Sequence, residues 1–199
     1  MIKSTDLLDK IKDILGTDEI LKSDLNNVEN LTLNKYKFNG SENDIDLSEL
    51  RYLKNIKTLT LIKFQIDKEF INSIRDNNFL WAIQFSSCKF KEIISFKQEI
   101  DYLVLDYCEN INLELVNNNK TIKIVGSEVD LKQLKRTDKI ESLYLQECKI
   151  KNVEEILKYN KLKLLNLDGS ILENNDILSK LDKDIKIYYK DEYHPVGGM

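Results

Sequence analysis

Apolar residues recur along this chain in a short triplet, in which the second member follows the first by three positions and the third follows the second by two. Six copies are complete: Val28, Leu31, Leu33; Ile56, Leu59, Leu61; Leu80, Ile83, Phe85; Ile100, Leu103, Leu105; Ile140, Leu143, Leu145; Leu162, Leu165, Leu167. Two poorer copies begin with a polar residue: Asn119, Ile122, Ile124 and Asp182, Ile185, Ile187. The alternation that ends each triplet predicts a short β-strand with one buried face.

The middle members of these eight triplets lie 19 to 28 residues apart. A period of this length is typical of a repeat architecture. One such repeat cannot bury its own apolar face, so neighbouring copies must stack and share a core. We therefore expect parallel strands whose inward side chains form continuous ladders.

A second regularity follows each triplet. Three residues after its last member stand Tyr36, Phe64, Cys88, Cys108, Ser127, Cys148 and Ser170. Two residues further on stand Phe38, Ile66, Phe90, Asn110, Val129, Ile150 and Leu172. This spacing resembles the motif L-x-x-L-x-L-x-x-N/C-x-L of the leucine-rich-repeat family, from about Val28 to Tyr189. Asn110 departs from the pattern, and we expect Ile111 to take its place. Tyr36 and Phe64 are bulky for their positions, so the first two turns are expected to be irregular.

The resemblance implies an α/β fold, a leucine-rich-repeat solenoid with a curved parallel sheet on the concave face and short helices or turns on the convex face. The segments between strands fit this expectation, because Val153 to Tyr159, Leu131 to Leu134 and Ile66 to Asn77 have helical apolar spacing. The resemblance also places all three cysteines at the Asn/Cys position, where a buried thiol acts as a small apolar group with a weak donor.

Three regions are expected. Residues 1–26 form an N-terminal helical cap, because Leu7, Leu8, Ile11, Ile14 and Leu15 make an amphipathic pattern that Gly16 would end. A second short helix is expected to start at Thr17, and a docking helix for a partner is the alternative reading. Residues 27–190 form the repeat array of about eight strands. Residues 191–199 are expected to form a flexible tail.

Charge and hydropathy narrow the choice of partners. The chain of 199 residues has a formal net charge of -4, whereas general nucleic-acid binding needs a basic face. No apolar run approaches the roughly 20 residues of a membrane helix, and none suits a signal peptide. We expect a cytoplasmic monomer that contacts neither nucleic acid nor membrane.

The motifs that carry common chemistry are absent. There is no Gly-rich phosphate loop, no G-x-S-x-G elbow and no paired Cys or His spacing for zinc. The single histidine, His194, lies in the expected tail, and Asp168-Gly169-Ser170 fits a repeat turn better than a calcium loop. We therefore predict no catalytic residue, no metal site and no cofactor. An enzyme with an unrecognised site is the remaining alternative.

Residues between the inward positions should face outward on the concave sheet, where tyrosines gather in the second half of the array. These are Tyr102, Tyr107, Tyr144, Tyr188 and Tyr189. Tyrosine suits protein interfaces because its ring is apolar and its hydroxyl forms hydrogen bonds. The predicted partner-binding residues are Tyr102, Val104, Asp106, Tyr107, Tyr144, Gln146, Glu147, Asp168, Lys186 and Tyr188.

The acids among these residues would select a partner protein with a basic or amide-rich surface. The predicted function is a protein-interaction module, in a narrower form an inhibitor of an enzyme, of the immunity or anti-defence type. A passive scaffold is the alternative, because tyrosine also has high strand propensity and the rings could simply cover one another. Trp81 is expected to pack against a nearby loop, with an interface hot spot as the second reading.

Overall fold

The computed structural model describes residues 2–36, 42, 45–92, 96, 99–111, 119–134 and 137–190. Its strands are β1 (Asn30–Asn34), β2 (Thr58–Ile62), β3 (Gln65–Ile66), β4 (Ala82–Ser86), β5 (Lys89–Phe90), β6 (Tyr102–Asp106), β7 (Thr121–Val125), β8 (Glu128–Asp130), β9 (Ser142–Gln146), β10 (Lys149–Lys151), β11 (Leu164–Asn166), β12 (Ile171–Leu172) and β13 (Lys186–Tyr188). Eight of them form one parallel sheet in the order β1-β2-β4-β6-β7-β9-β11-β13. The predicted solenoid architecture is confirmed.

The triplets form the core of this solenoid. Every member of the six complete triplets is at most 6% exposed. Each fully buried side chain of this kind contributes roughly 1.5 to 3 kcal/mol against the chain entropy lost on folding. Asn119, at the first place of a poorer triplet, is also buried, and its amide donates a hydrogen bond to the carbonyl of Ile100 in the preceding repeat.

The Asn/Cys position forms a second ladder, made of hydrogen bonds. In four repeats, the donor reaches back to the carbonyl at the third triplet position of the preceding repeat. The bonds run from Cys88 Sγ to Leu61 O at 3.3 Å, from Cys108 Sγ to Phe85 O at 3.5 Å, from Cys148 Sγ to Ile124 O at 3.5 Å and from Ser170 Oγ to Leu145 O at 2.6 Å. Burial raises the pKa of the Cys148 thiol to about 11, so it remains a protonated donor near neutral pH. The buried structural role expected for the cysteines is confirmed.

The first two turns differ from one another at this position. The Phe64 ring is buried in the core, whereas Tyr36 is 36% exposed and its ring lies 5.3 Å from Lys63 Nζ. In the fourth repeat, Asn110 is exposed, and Ile111 packs against the core as expected.

The return segments are mostly 3-10 helices. Among the described return segments, the exception is the α-helix α2 (Lys68–Ile74). Within the described ranges, the 3-10 helices are Asp24–Asn27, Leu47–Tyr52, Leu131–Gln133, Thr137–Lys139, Val153–Lys158 and Asn175–Lys180. Short side chains cap several of them, since Asp46, Asp130 and Asn174 each accept a hydrogen bond from the amide two residues on. Next to them, β12, β10 and β8 form a three-stranded sheet, and β3 pairs with β5.

The N-terminal helix α1 (Thr5–Leu15) has Ser4 as its N-cap and Gly16, in the left-handed conformation, as its C-cap. Its Leu7 and Ile11 are buried against the first repeat. The buried carboxylate of Glu49 accepts hydrogen bonds from the amides of Lys3 at 2.7 Å and Ser4 at 2.9 Å. These two bonds join the start of the chain to the 3-10 helix Leu47–Tyr52.

The second short helix expected from Thr17 is wrong, because residues 17–21 are not helical and a 3-10 helix forms later, at Asp24–Asn27. Local side-chain bonds explain the difference. Thr17 Oγ1 bonds the backbone of Glu19, and Asp24 accepts from the amide of Leu21. Such bonds compete with the helical hydrogen-bond pattern.

The last strand is displaced by two residues from its expected register. Leu165 pairs with Ile187 rather than with Ile185, and Asn166 pairs with Tyr188. Tyr189 therefore takes the third triplet position and packs half-buried against the core, which corrects its expected place on the concave face. The tail predicted at 191–199 lies outside the described residues. Among those described, no helix is both long and apolar enough to cross a membrane.

Candidate functional site

The residue just before each strand forms an outer column along one rim of the concave face. Oppositely charged neighbours pair along it: Glu29 with Lys57 at 2.7 Å, Asp101 with Lys120 at 2.9 Å and Glu141 with Lys163 at 2.7 Å. Trp81 occupies the one place between Lys57 and Asp101 in this column. From Glu29 to Lys163, it is the one member of this column that carries no charge.

Trp81 is also open to solvent. Its side chain is 50% exposed, and two aromatic neighbours in the repeats are exposed with it, namely Phe79 at 58% and Tyr102 at 38%. Tyr102 is paired in register with Ala82, whose small side chain leaves space beside the ring. We call Phe79, Trp81 and Tyr102 the aromatic patch. Half of the Trp81 surface is open to solvent, so this residue can take part in the interface that was its second interpretation.

A second feature lies at the opposite ends of the central strands. An open cavity of about 530 Å³ is formed where β6, β7, β9 and β11 end, and we call it the basin. It is lined by Asp106, Tyr107, Lys123, Val125, Gln146, Glu147, Asp168, Gly169 and Lys190. Five of these residues were predicted from the sequence, and three carboxylates and two lysines give the basin a mixed but acidic character.

The side chain of Tyr107 extends across the basin. Its backbone has a positive φ of 47°, which turns the side chain along the sheet towards later repeats. The ring lies over Gly126, where a Cβ atom would come within 2.3 Å of Cδ1 and Cε1. The hydroxyl then donates a hydrogen bond to Glu147 Oε2. This bond to a carboxylate raises the pKa of Tyr107 to about 12, so the phenol stays protonated. The contact with Gly126 and the bond to Glu147 together position the ring.

The other carboxylates of the basin differ in whether their oxygen atoms accept hydrogen bonds from the protein. Asp106 accepts a hydrogen bond from Ser86 Oγ at 3.0 Å. Asp168 is half-buried, and its Oδ1 has no hydrogen-bond partner within the described part of the chain. That Oδ1 atom is itself buried, so the groups that can accept N–H donors from a bound protein are the carboxylate oxygens of the basin that stay open to solvent. The basin therefore offers acceptors to a basic or amide-rich surface.

The remaining predicted residues are placed less favourably. Val104 is only 6% exposed, so its expected place in a contact surface is wrong; neighbours in the parallel sheet cover it. Tyr144 is half-buried. Lys186 and Tyr188 do face the concave side, but the register shift moves both by one column, and Lys186 Nζ lies 4.8 Å from the Tyr188 ring centre.

Sequence reasoning missed Phe79, Lys123 and Lys190. Trp81 carried a signal that could have been read, because it stands at a position where most repeats have a charged residue, whereas the position of Phe79 has no such pattern. Lys190 could not be placed without the register of the last strand. No group of three His, Cys, Asp or Glu side chains suited to a metal ion occurs among the described residues.

Comparison with known proteins bears on the fold. No family model matches this chain, and no curated protein matches its sequence. Among solved structures, it is similar to internalin C2 from Listeria monocytogenes, with 16% identity and a TM-score of 0.58 over 94% of this chain and 93% of that one. The chain has the leucine-rich-repeat fold. An internalin F structure from the same species is 12% identical over 94% of this chain and 75% of that one, with a TM-score of 0.34.

Proposed function

We propose that this chain binds a partner protein on its concave face, with the aromatic patch and the basin as the two contact regions. The observation that carries the proposal is Trp81, half-exposed beside Tyr102 in a rim whose other members from Glu29 to Lys163 are charged. Large aromatic residues are costly to leave in water, and they dominate the energetics of protein interfaces. A charged residue at position 81 would have continued the rim.

The basin supports a partner of defined character. Tyr107 is held in place by Gly126 and Glu147, so little side-chain entropy is lost when a partner covers it. The carboxylates of Asp106 and Asp168 would accept hydrogen bonds from arginine, lysine or amide groups. We infer a partner surface that combines an apolar cleft for Trp81 with basic or amide-rich residues for the basin.

The test is quantitative capture from cells that express the protein naturally, read by mass spectrometry. The variant Trp81→Ala/Tyr102→Ala should lose the partner, since exposed aromatic anchors each contribute about 2 kcal/mol or more at an interface. Tyr107→Ala/Asp168→Ala should weaken binding of the same protein. A partner that both variants retain would contradict the proposed surface.

A matched control is available on another surface. Leu157 and Ile171 are 48% and 46% exposed, close to the values for Trp81 and Tyr102. They lie in a return segment and in β12, away from the eight-stranded sheet. Leu157→Ala/Ile171→Ala removes a similar exposed apolar area and should leave capture unchanged. Loss of the partner in this control would point to general stickiness.

Inhibition of an enzyme is the narrower form of this proposal. It is supported by the size of the concave face, because eight adjacent strands can cover much of a small protein. Once a partner is identified, its catalytic rate should fall in a one-to-one titration with this protein. A partner whose activity does not change would leave protein binding in place but remove the inhibitory role.

A further inference from the structure

A cavity outside the concave face lies between α1, residues 20–26 and the end of the 3-10 helix Leu47–Tyr52. Its volume is about 860 Å³, which is within the range of small-molecule pockets. The walls are aliphatic, with Ile2 and Leu25 buried at the floor and Leu8 and Ile20 half-buried above them. Leu21, 65% exposed, stands beside the cavity.

The charged residues around this cavity are all basic. Lys12, Lys22, Arg51 and Lys54 line it, and no acidic residue does so within the described part of the chain. This cluster is unexpected in a chain whose net charge is -4. Four like charges around an apolar cavity repel one another, and a bound anion would relieve that repulsion.

These cations are poorly neutralised by the protein itself. Lys12 lies 3.7 Å from Asp9, and Lys54 lies 3.8 Å from Asp76. Lys22 has no ion pair among the described residues. By contrast, the lysines of the concave rim meet carboxylates at 2.7 to 2.9 Å. The basic groups of the cavity are thus available to a ligand.

The apolar walls of the cavity indicate which kind of ligand would fit it. The single aromatic side chain at the cavity is Tyr52, whose ring is already covered by the Arg51 guanidinium at 5.0 Å. With one face of this ring already in contact with Arg51, the described lining offers little aromatic surface to a base or another planar ring, whereas aliphatic walls suit a flexible alkyl chain. A free phosphate or carboxylate alone would leave these walls uncovered.

We propose that the cavity beside α1 binds a long-chain carboxylate, with the alkyl chain against Ile2, Leu8, Ile20 and Leu25 and the carboxylate among the surrounding basic residues. The site is independent of the concave face and of any partner bound there. It would give the protein a second ligand, a single-chain anionic amphiphile.

The test is calorimetric titration of the full chain with dodecanoate below its micellar concentration. Saturable one-to-one binding is expected. Octanoate should bind at least about tenfold more weakly, because each methylene removed loses apolar burial. Dodecanol, with the same chain and no charge, should also bind at least about tenfold more weakly, because it cannot form charge-assisted hydrogen bonds. No saturable binding, or equal binding of dodecanol, would overturn the proposal.

Variants identify the site. Lys22→Glu/Arg51→Glu should weaken dodecanoate binding by about tenfold or more. The matched control Lys161→Glu/Lys183→Glu makes the same change of net charge at exposed positions away from the cavity, and it should bind as the wild type does. An equal loss in both variants would indicate a general charge effect and reject the site.

A second measurement keeps the result independent of folding. Both double variants change exposed side chains, so equal thermal melting curves are expected. In methyl spectra of the wild type, dodecanoate should shift the signals of Ile2, Leu8, Ile20 and Leu25. Shifts confined to the concave face would overturn the assignment. If an acidic amphipathic peptide binds and dodecanoate does not, the proposal is overturned and the ligand of the cavity is a protein segment.

Discussion

Gly126 sits beneath the ring of Tyr107 and has a φ of +65°. A side chain at this position would meet two difficulties, the left-handed backbone and the aromatic ring. Gly16 has almost the same φ, +66°, with nothing within 4 Å of an added Cβ atom. Comparing the same substitution at the two glycines therefore separates the cost of the left-handed backbone from the cost of the contact with the Tyr107 ring.

Gly126→Ala is therefore expected to lower the free energy of unfolding by roughly 2 to 4 kcal/mol, and Gly16→Ala by roughly 1 kcal/mol. Urea denaturation of both variants gives the comparison. In Gly126→Ala/Tyr107→Ala, the added cost of Gly126→Ala relative to Tyr107→Ala alone should fall to the Gly16 value. An equal loss of unfolding free energy in Gly126→Ala and Gly16→Ala would show that the Tyr107 ring moves aside at no cost.

The titration of Tyr107 should report its hydrogen bond to Glu147. The hydrogen bond to Glu147 raises the pKa of Tyr107 to about 12 from the usual 10. Because the folded value is the higher one, this contact stabilises the fold fully below pH 10 and loses its effect as the pH rises towards 12. Carbon-13 spectra of labelled tyrosine rings give the titration curve. Glu147→Gln should move the pKa of Tyr107 towards 10, and an unchanged curve would contradict the assigned cause.

Among the elements, the hydrogen-bond ladder shows how one residue type links two repeats. Ser170 is buried, donates to Leu145 O at 2.6 Å and accepts from the Cys148 amide at 2.9 Å. Two backbone groups of the sixth repeat depend on this hydroxyl. Ser127, at the equivalent position one repeat before Cys148, is half-exposed and donates to Val125 O.

Ser170→Ala should lower the free energy of unfolding by roughly 2 to 4 kcal/mol, because each unsatisfied buried group costs about 1 to 3 kcal/mol. Ser127→Ala should cost about 1 kcal/mol or less. Thermal or urea unfolding of the two variants tests the difference. If Ser170→Ala lowers the free energy of unfolding as little as Ser127→Ala does, water must replace the lost hydrogen bonds of the two backbone groups.

Some features of these elements could be predicted from the sequence, and others could not. Strand positions followed from apolar triplets, since alternation is a local property of the chain. The left-handed residue that follows the strands of the main sheet from β2 to β11 could not be predicted at most of them, because Lys63, Ser87, Tyr107 and Glu147 adopt positive φ without any side-chain preference for it. Stacking of the repeats imposes the same turn on each, and it overrides the local preference.

At the scale of the whole molecule, the two ends of the sheet differ. At one end, α1 covers the first repeat, with Leu7 and Ile11 buried in the shared core. At the other end, β13 pairs only with β11 among the described strands, and Ile185 and Ile187 remain half-buried. In a solenoid each repeat depends on its neighbours, so a repeat packed on one side is the less stable.

Hydrogen exchange should show this asymmetry. The Lys186 amide, which donates to Lys163 O, should exchange at least about tenfold faster than the Ser142 amide, which donates to Lys120 O at the matching place in β9. The difference reflects local opening of the last repeat, while β7 and β9 open only with the array. Equal protection at both amides would indicate that the solenoid unfolds as one unit.

The repeat, its inward triplets and the buried cysteines could be predicted because each depends on spacing within about ten residues. The register of β13, the open position of Trp81 and the contact of Tyr107 with Gly126 and Glu147 required the folded chain. They depend on how one repeat lies on the next, and residues 20 to 40 positions apart meet there. Periodicity decides which face of a strand is buried, whereas the packing of neighbouring turns decides which outward side chains are covered and which stay open to a partner.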